Sequence, residues 1–101
     1  MNFQVRRSPE TIEVLLSGRL EFTDHDSLPD IVELLDDPGL RRFILNMEGL
    51  DFIDSAGLGM LLILQEEAEQ RNVKMIVRNA RDDVRRSFDL ARIGEIVTIE
   101  E

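Results

Sequence analysis

The sequence predicts an α/β domain: one mixed β-sheet of about four to five strands, with three to four helices packed on it. Three observations predict it. Short β-branched and aliphatic runs alternate with segments of helical spacing. The second half of the chain reads strand, helix, strand, helix, strand, an order that calls for right-handed parallel crossovers. The 101 residues suit one domain, taken here as 1–101, and five Phe with no Trp or Tyr make its core mainly aliphatic.

Each element has its own signal. Phe3 and Val5 alternate with polar neighbours, a weak strand signal, and Ser8-Pro9-Glu10 reads as a turn. Thr11–Leu16 is β-branched and aliphatic, with Ile12, Val14 and Leu16 on one face of a strand. Ser17-Gly18 is expected to bend the chain. The tetrad Thr23-Asp24-His25-Asp26 fits the S/T-x-x-D/E capping pattern, and Leu28, Ile31, Val32 and Leu35 follow at helical spacing. Pro29 falls early enough for a first turn, and Asp37-Pro38-Gly39 closes the segment. Arg42–Met47 holds the buried-strand run Phe43-Ile44-Leu45. Glu48–Asp54 is expected to be a loop with Leu50, Phe52 and Ile53 pointing inward. The main helix is predicted over Gly57–Arg71 with Asn72 as C-cap, and a strand over Val73–Val77. Asn79 is a candidate cap for a last helix, with Asp82 at its third position and an apolar stripe of Val84, Phe88 and Ala91. Gly94 breaks that pattern, and Ile96, Val97 and Ile99 read as a final short strand.

Charge excludes several function classes. Lys and Arg number 12 against 21 Asp and Glu, a net charge of −9. A nucleic-acid partner would call for a basic stripe, and an anionic membrane surface is disfavoured for the same reason. With no cysteine there is no disulfide framework, thiol catalysis or thiolate metal site. The N-terminal MNFQVRRSPE lacks the apolar core of a signal peptide. The longest apolar run, Met60–Leu64, is far too short to cross a bilayer. A cytoplasmic location is the expectation, with no membrane insertion.

Enzyme chemistry has little to build on. The single His25 sits between Asp24 and Asp26 and reads as a solvated polar residue or local cap. A triad of Ser55 and His25 lacks the G-x-S-x-G elbow. Gly57-Leu58-Gly59 begins a glycine fingerprint, but Leu62 stands where the third glycine belongs. The chain is read as a non-enzyme, with no cofactor and no metal.

The stretch DFIDSAGLG, residues 51–59, places a lone hydroxyl beside a carboxylate at the mouth of a helix. Spacing alone favours a helix N-cap at Ser55. Along the helix, Leu61, Leu64 and Ala68 share the side that should face the sheet. Leu62 and Ile63 fall on the other half, near Glu66 and Gln70, either as a contact patch or under neighbouring loops.

The segment LNMEGLDFIDSAGLGMLL (Leu45–Leu62) resembles the signature of the STAS domain in bacterial anti-sigma factor antagonists, where a strand leads into a D-S-[STA]-G-L-G turn that opens a helix. LLSGRLEF is similar to the family's early strand-turn-strand, with Glu21 where an Asp is usual, and VRRSFDLARIGEIVTI is similar to its closing helix and strand. The resemblance covers nearly the whole chain and implies the STAS fold. It implies a regulatory phosphoswitch: Ser55 as the acceptor, Asp54 beside it, and Gly57 and Gly59 as turn glycines. The unmodified form would bind an anti-sigma factor that is also a serine kinase, and phosphorylation would release it. A PP2C-type phosphatase would reverse the switch. Partner contacts are expected at Glu21, Asp24, Leu58, Leu62 and Ile63. Ala56 stands where many members carry a second hydroxyl, so Ser55 is alone in the turn. Capping and switching are compatible roles.

Two other roles stay open on the same resemblance. One is a STAS accessory subunit of a lipid ABC transporter, which needs no phosphorylatable serine. The other is a STAS signalling module with a partner other than the sigma system. Oligomeric state is not fixed by the sequence.

Overall fold

The computed structural model describes residues 1–100. Strands β1 (Asn2–Ser8), β2 (Thr11–Leu20), β3 (Arg42–Ile53), β4 (Lys74–Arg78) and β5 (Thr98–Glu100) form one sheet in the order β1-β2-β3-β4-β5. Only β1 runs antiparallel, against β2; the other pairs are parallel. Helices α1 (Leu28–Glu33), α2 (Ser55–Gln70) and α3 (Asp82–Leu90) make the crossovers, with short 3₁₀ segments at Phe22–Ser27, Leu34–Asp36 and Ile93–Glu95. This is the single mixed sheet with helices that the sequence predicts.

Parallel neighbours here are consecutive in the chain, so right-handed crossovers lay every helix on the same face. The core records this. Ile12, Val14 and Leu16 of β2, Phe43, Leu45 and Met47 of β3, and Met75 and Val77 of β4 cluster with Ile31, Leu61, Leu64, Ala68, Val84 and Phe88 from the helices. The opposite face is left without helices. It carries Gln4, Arg6, Glu13, Asn46 and Arg78 around two isoleucines, Ile44 and Ile76, which pair across β3 and β4 outside the main cluster.

Several local expectations are corrected. Ser17-Gly18 does not end β2: two register shifts, with Gly18 at φ 86°, absorb the irregularity as a bulged stretch and the strand runs on to Leu20. The supposed loop at Glu48–Asp54 is the second half of β3, paired with β2 from Ser17–Gly49 to Leu20–Ile53. Gly49 permits that pairing, because a Cβ there would lie 2.9 Å from the Leu16 carbonyl oxygen. Leu50 and Ile53 point inward as expected, but Phe52 is half-buried with the Arg19 guanidinium 4.1 Å from its ring centre.

At the C-terminal end of α2 the cap is Arg71, and Asn72 follows in the left-handed region at φ 57°. Helix α3 starts after Arg81 rather than after Asn79. Asn79 instead turns left-handed and its Nδ2 donates to Asn46 Oδ1 at 3.2 Å. Val84 and Phe88 are buried, whereas Ala91 is exposed, because the helix has already ended at Leu90.

Candidate functional site

The carboxyl ends of β2 and β3 meet at Asp54. Its backbone is extended, and its side chain caps α2: Oδ1 accepts the Gly57 N–H at 2.8 Å. The other oxygen, Oδ2, accepts the Phe22 N–H at 3.2 Å. The Asp54 N–H in turn donates to the Leu20 carbonyl at 3.2 Å. One residue thus fastens the end of β2, the Phe22–Ser27 segment and the start of α2.

This corrects the cap expected at Ser55. A carboxylate one residue earlier takes the role, and Ser55 becomes the first residue of α2. It is exposed, and its hydroxyl makes no hydrogen bond among the described residues. Because Asp54 holds Gly57, the Ser55 and Ala56 N–H groups are left without protein acceptors among the described residues. Such groups at a helix start favour an anion through their dipole.

Neither Gly57 nor Gly59 is a turn glycine: both lie inside α2, and neither has a positive φ. Gly57 is buried, and a Cβ on it would lie 2.6 Å from the Leu20 carbonyl oxygen and 2.7 Å from Ile53 Cγ1. At Gly59 a Cβ would meet nothing within 4 Å. Packing within the chain therefore explains the first glycine and not the second.

The capping pattern expected at Thr23 also moves. Glu21 precedes the Phe22–Ser27 segment, and its N–H donates to Asp24 Oδ2 at 2.9 Å. Asp24 Oδ1 accepts from the Met1 ammonium at 2.9 Å. Burial alone would raise the Asp24 pKa, but the Glu21 N–H and the Met1 ammonium outweigh it and hold the carboxyl below its ordinary value. The sign follows from linkage. A depressed native pKa stabilises above the unfolded value, near about 4, and that contribution fades as pH falls through the native pKa. Asp24→Asn is therefore expected to lower the thermal midpoint at neutral pH. The gap to the parent should shrink as pH falls below the ordinary carboxylate range, read in melts across the acid range.

Glu21 is engaged as well. Its Oε1 accepts from Arg19 Nε at 2.6 Å, and the same guanidinium covers Phe52. His25 is exposed with its ring centre 6.3 Å from that of Phe22, and no hydrogen bond joins it to Ser55 or Asp54 among the described residues. Leu58 and Leu62 are half-buried and pack on the core, while Ile63 is 42% exposed. The expected Leu62–Ile63 patch thus splits into a packing residue and a surface residue. Phe22, 69% exposed and bonded through its backbone to Asp54, joins the surface beside α2. Sequence reading missed Phe22 because only the fold brings it to Asp54, 32 residues away.

Among the described residues, no group of three His, Cys, Asp or Glu side chains could hold a metal ion. No helix is long and apolar enough to cross a membrane.

The Asp54 junction carries a direct prediction. Asp54→Ala removes the acceptor of two backbone N–H groups and is expected to cost about 2 kcal/mol in urea unfolding. Asp54→Asn keeps one acceptor oxygen and should lose less.

Comparison with known proteins places the fold. A family model described as STAS domain matches residues 2–101. A STAS-domain containing protein of Pseudomonas aeruginosa is 24% identical over 90 residues, covering 89% of this chain and 88% of that protein. An anti-sigma-B factor antagonist of Staphylococcus aureus is 20% identical over 101 residues, covering 100% and 94%. The Bacillus protein SpoIIAA in its phosphorylated form superposes with a TM-score of 0.72 at 24% identity, covering 99% of this chain and 92% of that one. Its unphosphorylated form, an anti-sigma factor antagonist, gives 0.74 at 24% identity, covering 99% and 88%.

Proposed function

Since this chain belongs to the STAS domain family, we propose that it is a regulatory binding module of the anti-sigma factor antagonist type, switched at Ser55. It docks on an anti-sigma factor that is also a serine kinase, and phosphorylation releases it. A PP2C-type phosphatase resets it. The observation that carries this reading is the Ser55 hydroxyl: exposed and unbonded among the described residues, at the first position of α2. Capping, the ordinary structural use of such a serine, is already performed by Asp54.

The chemistry is asymmetric between fold and partner. The kinase brings ATP, Mg²⁺ and a base; the Ser55 Oγ takes the γ-phosphoryl group, its proton goes to the base and ADP leaves. The product carries about −1.5 to −2 more charge. Within the domain that charge meets the Ser55 and Ala56 N–H groups, which have no protein acceptor among the described residues. For a partner it lies beside Asp54 and the exposed Asp51, and docking would have to desolvate all of it. Gly59 supports a docked surface here, since nothing within the chain requires the absence of its side chain.

The test is the intact mass of the protein purified from its own host, with site mapping of any added phosphate. Phosphate on Ser55 in some growth condition is expected. Its absence in all of them, with Ser55→Ala cells unchanged, would overturn the switch and favour an accessory subunit.

The surface residues give a second prediction. Ile63→Asp should leave stability within about 0.5 kcal/mol of the parent and weaken kinase binding at least tenfold. Leu62→Asp buries a charge against the core and should cost about 2 kcal/mol. Urea unfolding and a binding titration on the same samples separate the two effects. An Ile63→Asp protein that binds normally would remove that residue from the contact.

A further inference from the structure

Among the described residues, four large apolar side chains are exposed: Phe22 at 69%, Ile63 at 42%, Leu90 at 79% and Ile96 at 55%. Leu90 and Ile96 belong to the end of α3 and the turn after it. The other two lie about the start of α2. Phe22 has no part in the core: it stands outside both the main cluster and the half-buried side chains packed on it. Its ring centre is 6.3 Å from that of His25, itself exposed. A phenyl left in water to this extent adds little to stability within the chain.

The backbone under that ring is nevertheless fixed. The Phe22 N–H donates to Asp54 Oδ2 at 3.2 Å, and the other oxygen of that carboxylate caps α2 through Gly57 at 2.8 Å. That bond and the reach of one short side chain keep the Phe22 and Ser55 Cα atoms within roughly 12 Å of each other. Gly59 and Ile63, four residues apart, share one face of α2. Met60, beside them, lines a small cavity with Asp24 and Leu28, so that face looks toward the Phe22–Ser27 segment. An exposed phenyl, a glycine that no contact within the chain requires and an exposed isoleucine thus lie together beside Ser55.

We propose that Phe22 is the anchor by which the serine kinase that reads Ser55 holds this domain. The anchor rests on the Ser55 reading and adds to it the chemistry of the partner. That partner carries an apolar pocket for the phenyl, rimmed by cations that meet Asp26, Asp51 and Asp54. Size selects this occupant. A standard interface covers about 800 Å² on each partner, a patch roughly 30 Å across. A protein docked over Ser55 therefore also covers a residue roughly 12 Å away. Aromatic anchors seated in desolvated pockets carry much of the energy of such interfaces.

The same placement accounts for release. Seating a phenyl in a pocket removes water from its surroundings, and a phosphate at Ser55 would have to be stripped of water with it. The modification therefore acts on the anchor without touching it. Asp54 and the Phe22 backbone stay where they are, and the pocket no longer closes over them. Release needs no rearrangement of the sheet.

The test uses the kinase purified from host extract by its transfer of labelled phosphate to Ser55, with Ser55→Ala as the blank. In steady-state kinetics Phe22→Ala should raise KM at least tenfold, the loss falling on KM rather than kcat. Phe22→Leu should recover part of it. Leu90→Ala, which removes a similarly exposed side chain on α3, should match the parent. The Phe22→Ala melt should lie within about 3 °C of the parent. An unchanged KM in Phe22→Ala, or an equal loss in Leu90→Ala, would overturn the anchor and leave the Ser55 reading standing. No transfer to Ser55 by any extract would overturn that reading, and the anchor with it. Sedimentation of the purified domain covers the remaining occupant: a dimer that Phe22→Ala disperses would assign this face to a second copy and overturn the kinase pocket.

Discussion

Gly57→Ala is expected to destabilise the domain by about 2 to 3 kcal/mol, although alanine is the better helix former. The new Cβ would sit 2.6 Å from the Leu20 carbonyl oxygen, 2.7 Å from Ile53 Cγ1 and 3.1 Å from Leu20 Cγ. Two of those neighbours are core side chains, and the nearest is backbone, which cannot swing aside. That carbonyl also accepts the Asp54 N–H. Moving it away from the Cβ strains the junction that holds the Phe22–Ser27 segment to α2. The control lies two residues on. Gly59→Ala has open space and no left-handed φ, so it should stabilise by about 0.5 to 1 kcal/mol through helix propensity alone. Urea unfolding of both variants decides the matter: opposite signs are expected, and equal signs would refute the packing account of Gly57. If a partner covers Gly59, the same stabilised variant should bind that partner less well.

The element order was legible in the sequence wherever burial repeats with a clear period. Ile12, Val14 and Leu16 at alternate positions, and Leu61, Leu64 and Ala68 at helical spacing, are the residues that the sheet and α2 bury. Illegibility began where one residue serves two elements. Glu48–Ile53 contains a glycine and two acidic residues, all three exposed, so it reads as a loop. It is a strand because the bulged second half of β2 pairs with it, and that contact is non-local. The site shows the same division. Ser55 and Asp54 could be singled out from a nine-residue motif, but which of them caps α2 depends on side-chain geometry. Serine and aspartate both fill that position well. Nothing local marks Phe22, because its link to Asp54 exists only once β2 and β3 lie side by side.

Phosphorylation of Ser55 is expected to weaken binding to the cognate serine kinase by at least 100-fold while leaving the fold intact. A loss of that size corresponds to about 2.7 kcal/mol. The stability of the free domain should change by no more than about 1 kcal/mol, because charge at a helix N-terminus interacts favourably with the dipole. Asp54 is no hindrance to the local fit: both its oxygens already face backbone N–H groups, at 2.8 and 3.2 Å, and it need not move. Ser55→Asp adds one charge where phosphate adds nearly two, so it should weaken binding by less than the phosphate does. Ser55→Ala should bind like the unmodified protein, since the hydroxyl holds no bond within the domain among the described residues. A calorimetric titration of the four forms against the kinase, with amide spectra of each free form, tests the whole scheme. A phosphorylated protein whose spectrum shifts across the sheet would mean that the switch acts through the fold. A phosphorylated protein that binds as tightly as Ser55→Ala would remove Ser55 from the interface altogether.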